Sequence, residues 1–107
     1  MEGPTARWVR IDTERAFRDA FAGKTFVGEG FEFTIHADGR LTGRFGPARL
    51  DGNWHWHDAY FCRTASLDGE DLGLDCEIIE YRPGEMRYTR DKGAGEPTVV
   101  ALGPETD

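Results

Sequence analysis

The chain has 107 residues, 38% of them hydrophobic and 31% charged, with thirteen aromatic rings and a net charge of −7. This length suits one domain, since two independent cores would each be too small to bury enough apolar surface. The excess of acidic residues and the absence of any run of basic ones argue against a nucleic-acid partner, whose phosphates would be repelled.

No stretch is long and apolar enough to span a bilayer, and Met1-Glu2-Gly3-Pro4 has neither the basic start nor the apolar core of a signal peptide. A soluble chain is expected, one that could also be a mature exported domain whose signal has been trimmed.

Trp8-Val9-Arg10-Ile11 alternates and reads as a first strand or an arm packed on the domain. Asp12-Thr13-Glu14-Arg15 follows as a helix start, because a short oxygen-bearing side chain can accept the free N–H groups of the first turn. Ala16, Phe17, Ala20 and Phe21 then share one helical face, and Gly23 can stop the helix. The helix is expected over about 13–22, its aromatic face serving as a plug or lid on the core.

From Lys24 the period changes to two, with glycine and proline punctuation, and a β meander is expected over about 24–102. Phe31, Phe33 and Ile35 alternate, and Ala37-Asp38-Gly39 supplies a three-residue hairpin loop that sets Ile35 opposite Leu41 and Phe31 opposite Phe45. Leu50, Gly52, Trp54 and Trp56 form the next face. A three-residue turn at His57-Asp58-Ala59 would place Trp56 opposite Tyr60 and Trp54 opposite Cys62. Leu72, Leu74, Cys76 and Ile78 alternate after a turn near Asp68-Gly69-Glu70, and Met86-to-Arg90 and Val99-to-Leu102 complete the set. Residues 103–107 read as a frayed tail.

With Lys24–Val27 counted, about eight β segments result, and closing the sheet is the simplest way to avoid a long exposed edge. The expected fold is mainly β: a small antiparallel up-and-down, lipocalin-like barrel of about eight strands with one short N-terminal helix. An eight-stranded barrel is just wide enough to be filled by side chains or to hold one small ligand. So little spare volume favours a filled core.

Cys62 and Cys76 lie at equal distances from Gly69, so a hairpin turning there sets them directly opposite each other and predicts a disulfide. The same register puts Arg63 opposite Asp75 on the other face. The alternative is a pair of buried reduced thiols, as a reducing cytoplasm would give.

Trp54, Trp56, Tyr60 and Phe33 are the candidate lining of a ligand site, although an ordinary core has the same composition. His55 and His57 share one strand face and could grip a metal with His36 or Asp58, but two-residue spacing on an outward face reads as plain surface, and no metal site is expected. Asp91-Lys92-Gly93-Ala94-Gly95 could form an anion nest, yet no helix follows it, so it reads as a connection. No catalytic constellation is visible, and no cofactor is expected: the only serine, Ser66, lies in a turn, and no histidine has a foreseeable partner.

The order Gly23-Lys24-Thr25-Phe26, Asp38-Gly39-Arg40-Leu41-Thr42-Gly43, Gly52-Asn53-Trp54-His55-Trp56, Tyr60-Phe61-Cys62-Arg63, Leu72-Gly73-Leu74-Asp75-Cys76 and Asp91-Lys92-Gly93-Ala94-Gly95 resembles a group of small exported proteobacterial proteins often labelled dihydrodipicolinate reductase. The resemblance spans roughly residues 9–102. That label implies a nicotinamide-dependent enzyme, whereas this chain has no glycine-rich strand-to-helix fingerprint and no room for a dinucleotide-binding domain. What the resemblance implies instead is a lipocalin-like barrel, usually preceded by a signal peptide, with no established reaction. A periplasmic or otherwise exported location follows from it, with the cytoplasm as the alternative.

The expected function is therefore non-enzymatic: a lipocalin-like binding or accessory protein of the cell envelope, with any small apolar ligand held in the aromatic-lined interior near Trp54, Trp56 and Tyr60. The alternatives are a protein-interaction or inhibitor module with a solid core, and a small barrel isomerase or cyclase in which shape and aromatic walls do most of the work.

Overall fold

The computed structural model describes residues 7–103. The expected tail, apart from Gly103, and the Met1-Glu2-Gly3-Pro4 start lie outside the described residues. Thr13 caps the helix, its Oγ1 accepting from the Ala16 N–H at 3.2 Å, and α1 runs Glu14–Phe21. Arg18 pairs with Glu14 one turn earlier at 2.9 Å. The helix ends as Gly23 takes a left-handed φ of 81°, a conformation that costs a residue without Cβ little.

Beyond the helix the alternating segments form β2 (Lys24–Gly28), β3 (Phe31–Ile35), β4 (Arg40–Phe45), β5 (Ala48–His57), β6 (Tyr60–Leu67), β7 (Glu70–Arg82), β8 (Glu85–Thr89) and β9 (Pro97–Leu102), with β1 (Val9–Ile11) preceding the helix. Strands β2 to β9 pair antiparallel in sequence order, and Phe26 opposite Leu102 joins the last to the first. The result is a closed eight-stranded up-and-down barrel. Closure leaves none of those eight as a free lateral edge along its whole length.

β1 is a ninth strand outside that cycle. It pairs with the second half of β7, setting Ile11 opposite Ile79, along the line that β6 leaves where its hairpin turns back. Arg10 Nη2 donates to the Ala59 carbonyl in that turn at 3.0 Å.

The inward face of each strand carries the core: Phe26, Phe33, Ile35, Leu41, Leu50, Trp54, Phe61, Ile79, Met86 and Val100 are all buried. The β3–β4 register is the expected one, with Ile35 opposite Leu41 and Phe31 opposite Phe45. Gly52 on β5 is required by a close approach, because a Cβ there would collide with the Thr64 carbonyl oxygen and Ala65 of β6.

The β5–β6 turn corrects the sequence expectation. It has two residues, Asp58 and Ala59, with His57 opposite Tyr60, so Trp56 faces Phe61 and Trp54 faces Arg63 instead of Tyr60 and Cys62. Asp58 adopts a left-handed φ of 55°, which lets the chain reverse one residue sooner than a three-residue loop. Because side chains alternate, one residue of register moves every β6 side chain to the opposite face. Phe61, Arg63 and Ala65 therefore point inward, and Tyr60 and Cys62 point outward beside the histidines.

β6 and β7 reach their expected register by an unexpected path. A two-residue turn at Asp68-Gly69 sets Leu67 opposite Glu70, and one extra residue, Leu72, bulges between the Ser66–Asp71 and Ala65–Gly73 pairs. Past that bulge Cys62 faces Cys76 and Arg63 faces Asp75. The disulfide is present, with the two Cα atoms 4.0 Å apart and the two cysteines separated by 14 positions in the sequence. Replacing both cysteines by alanine should lower stability by about 3 kcal/mol, the chain-entropy value for a loop of this size. Urea unfolding without reductant checks it, and equal midpoints for the two proteins would contradict a structural role.

Candidate functional site

One end of the barrel is closed by α1. Phe17, fully buried, lies with its ring centroid 5.2 Å from Trp54, 5.1 Å from Trp56 and 5.2 Å from Phe61. Phe21 meets Phe26 at 5.4 Å and Tyr81 at 5.8 Å. The helix is thus a plug. The Trp54 indole N–H donates to the His36 carbonyl at 2.8 Å, and the Arg18 guanidinium lies over the same ring.

This floor absorbs two of the four residues expected to line a ligand site. Trp54 and Trp56 belong to the plugged end, whereas Phe33 lines a cavity farther up the barrel. Tyr60 stands on the outer surface, its ring between the Arg10 guanidinium at 5.4 Å and the Lys92 ammonium at 5.3 Å. It fastens β1 and the turn after β8 to the barrel wall.

The cavity has a volume of about 350 Å³, so the filled core favoured by the narrowness of the barrel is corrected for the part above the floor. Plugging one end with a helix supplies the rings that fill that end, and the strands above it enclose space. One side is apolar, built from Phe33 and Ile35 on β3, Leu41 on β4 and Leu50 on β5. The side made by β6, β7 and β8 is mixed: Ile79 and Met86 share it with Arg63, Glu77, Tyr88 and, where the chain leaves β8, Arg90. Leu72, 48% exposed at the bulge, marks the rim with half-buried Leu67 and Phe45.

Glu77 is the polar residue buried most completely, at 5% exposure. Burial, and then the hydrogen bond and negative charge of Asp75, push its carboxyl up to about 8 against the partial opposition of Arg63 and Arg90. At neutral pH it carries a proton. Asp75 Oδ1 accepts the Asp91 backbone N–H at 3.0 Å, while its buried Oδ2 has no N–H donor within hydrogen-bonding distance. Arg63 donates from Nη1 to the Gly73 carbonyl at 2.9 Å and stands 3.9 Å from both Asp75 and Glu77. Burial also raises the Tyr88 phenol, with the nearby Glu77 adding to the effect.

Arg63, Glu77, Tyr88 and Arg90 were not legible as site residues in the sequence. The Arg63–Asp75 pairing was, but on the outer face; the period-two series Asp75, Glu77, Ile79, Tyr81 was the signal that could have placed it inside.

The other candidates lie elsewhere. His55 and His57 face outward, His57 pairing with Asp58 at 3.3 Å, and His36 Nε2 shares a hydrogen bond with Thr42 Oγ1 at 2.8 Å. Among the described residues no three histidine, cysteine or carboxylate side chains are grouped to hold a metal ion. The Asp91–Gly95 loop forms a 3-10 turn in which the N–H groups of Gly93, Ala94 and Gly95 bond to the Arg90 and Asp91 carbonyls. Those donors are therefore used internally. No described helix is long and apolar enough to cross a membrane.

Fold and cavity together define a small closed antiparallel barrel with a helix-plugged floor and a one-sided polar interior. The chain matches no known protein-family model, no curated protein and no solved structure.

Proposed function

We propose that this protein is a non-enzymatic, lipocalin-like carrier or accessory protein that holds one small, mainly apolar ligand inside the barrel. The observation that carries this reading is the unfilled interior: about 350 Å³ bounded by an apolar wall and a few converging polar groups. That volume lies at the small end of the range of about 300–1,000 Å³ usual for ligand pockets. The Cys62–Cys76 bridge supports an oxidising, exported compartment such as the periplasm, where such bonds persist.

Titration with the uncharged fluorophore N-phenyl-1-naphthylamine tests the reading. Saturable enhancement with one site per chain is expected. Leu67→Trp, which adds bulk at the half-buried rim and leaves the floor intact, should weaken it at least about tenfold, or 1.4 kcal/mol. Absence of saturable binding to the unaltered protein contradicts the carrier reading.

A further inference from the structure

Arg63 has donors to spare. Its side chain is 16% exposed, and a guanidinium carries five N–H donors in a planar fork. Its one hydrogen bond among the described residues runs from Nη1 to the Gly73 carbonyl. The approaches of Nη2 to Asp75 and of Nε to Glu77, both 3.9 Å, are ion-pair distances too long for hydrogen bonds. A largely buried cation with unfilled donors, on the polar wall of a cavity whose opposite side is apolar, calls for an acceptor that the protein itself does not supply.

The balance of charge says which acceptor. With its proton Glu77 is neutral, so Arg63 and Arg90 outnumber the single negative charge of Asp75 on this wall. A monoanion would neutralise the surplus, and a carboxylate matches the guanidinium fork with two parallel, charge-assisted hydrogen bonds. An amine or other cation would add to the surplus.

Resting on the carrier reading above, we propose that the ligand is a small apolar carboxylic acid, bound as its carboxylate on the Arg63 guanidinium with its hydrocarbon or ring body against Phe33, Ile35, Leu41 and Leu50. Arg90, exposed at the rim, draws the acid toward the mouth. Glu77 makes the seat sensitive to pH. The charged or titratable groups facing it are Asp75 on its own strand, Arg63 on β6, Tyr88 on β8 and Arg90 just beyond β8, and the lining of β3, β4 and β5 brings apolar side chains only. Once Glu77 loses its proton, its carboxylate competes for Arg63 and repels the bound anion, so the acid is released as pH rises through about 8.

The test compares decanoate with decanol by displacement of N-phenyl-1-naphthylamine. At pH 6.5 decanoate should bind about tenfold tighter or more, since the charged head gains the Arg63 fork. Between pH 6 and pH 9.5 its affinity should fall about tenfold in the unaltered protein and stay level in Glu77→Gln, while decanol shows no such change. Arg63→Met should abolish the preference for the acid and still bind the fluorophore; should that variant fail to fold, the acid–alcohol comparison and Glu77→Gln decide the matter. Equal affinities for decanoate and decanol in a protein that binds the fluorophore would overturn the acid seat and leave the carrier standing. Failure of all three compounds to bind would overturn both.

Discussion

Glu77→Gln is expected to stabilise the protein by about 3–5 kcal/mol at pH 8–9 and to leave stability at pH 4 nearly unchanged. In the folded protein the carboxyl is pushed from 4.5 up to about 8, burial being the largest cause. Below pH 4.5 it is protonated whether the chain is folded or not, and it contributes no pH dependence. Between 4.5 and about 8 the unfolded chain gives up the proton and the folded chain keeps it, so folding takes up a proton and stability falls as pH rises. Above 8 both states are ionised and the whole penalty of the buried charge remains. Glutamine has the same shape, and its amide N–H can still donate to Asp75, so the variant escapes the penalty without emptying the site. Urea unfolding at pH 4, 7 and 9 reads the effect directly: the two proteins should diverge steadily with pH. Parallel profiles would mean that the carboxyl is hydrated and not held in the barrel wall.

The second large effect is expected at the opposite end of the barrel. Phe17→Ala removes a fully buried ring that touches Trp54, Trp56 and Phe61 at once, and such truncations cost about 3–5 kcal/mol through lost transfer energy and the cavity left behind. The strands need not separate, because their ladders do not depend on the helix. A lowered urea midpoint with the far-ultraviolet β signal retained is therefore the expected result. A loss below about 1 kcal/mol would show that α1 lies loosely over the barrel and does not plug it.

Features governed by local rules were legible in the sequence. Thr13 marks a helix start because it precedes an amphipathic run, and the Ala37-Asp38-Gly39 loop gives the β3–β4 register through the apolar partners it matches across the turn, Ile35 with Leu41 and Phe31 with Phe45. The equal spacing of Cys62 and Cys76 about Gly69 foretold their pairing even though a two-residue turn and a bulge, not a symmetric loop, produce it. The count of eight barrel strands followed from periodicity and punctuation; that Trp8–Ile11 would add a strand outside the closed cycle did not, since short alternating segments fit an arm or an edge equally well.

The polar wall was hidden by a single residue. His57-Asp58-Ala59 accommodates a loop of two or three residues, and the shorter one requires Asp58 to take a left-handed backbone that few non-glycine residues adopt. With the longer loop, Leu72, Leu74, Cys76 and Ile78 look like the core face of β7 and Asp75 and Glu77 like the wet one. The structure reverses this, burying Glu77 and leaving Leu74 among the exposed large hydrophobics. Hydrophobic patterning points the wrong way at such a strand because the polar side chains inside it pair with one another, which the one-dimensional pattern does not register. The cavity itself is a difference between the space the strands enclose and the side chains that enter it, and no single segment encodes that difference.

The most direct test of the central claim is methyl NMR of the labelled protein during titration with N-phenyl-1-naphthylamine. Saturating shift changes at the methyls of Ile35, Leu41, Leu50, Ile79 and Met86, with those of Val9, Val27, Leu74 and Val99 unmoved, are the result expected if the ligand enters the barrel. Shifts confined to the second, outward-facing group, or none at all, would contradict a ligand-holding interior.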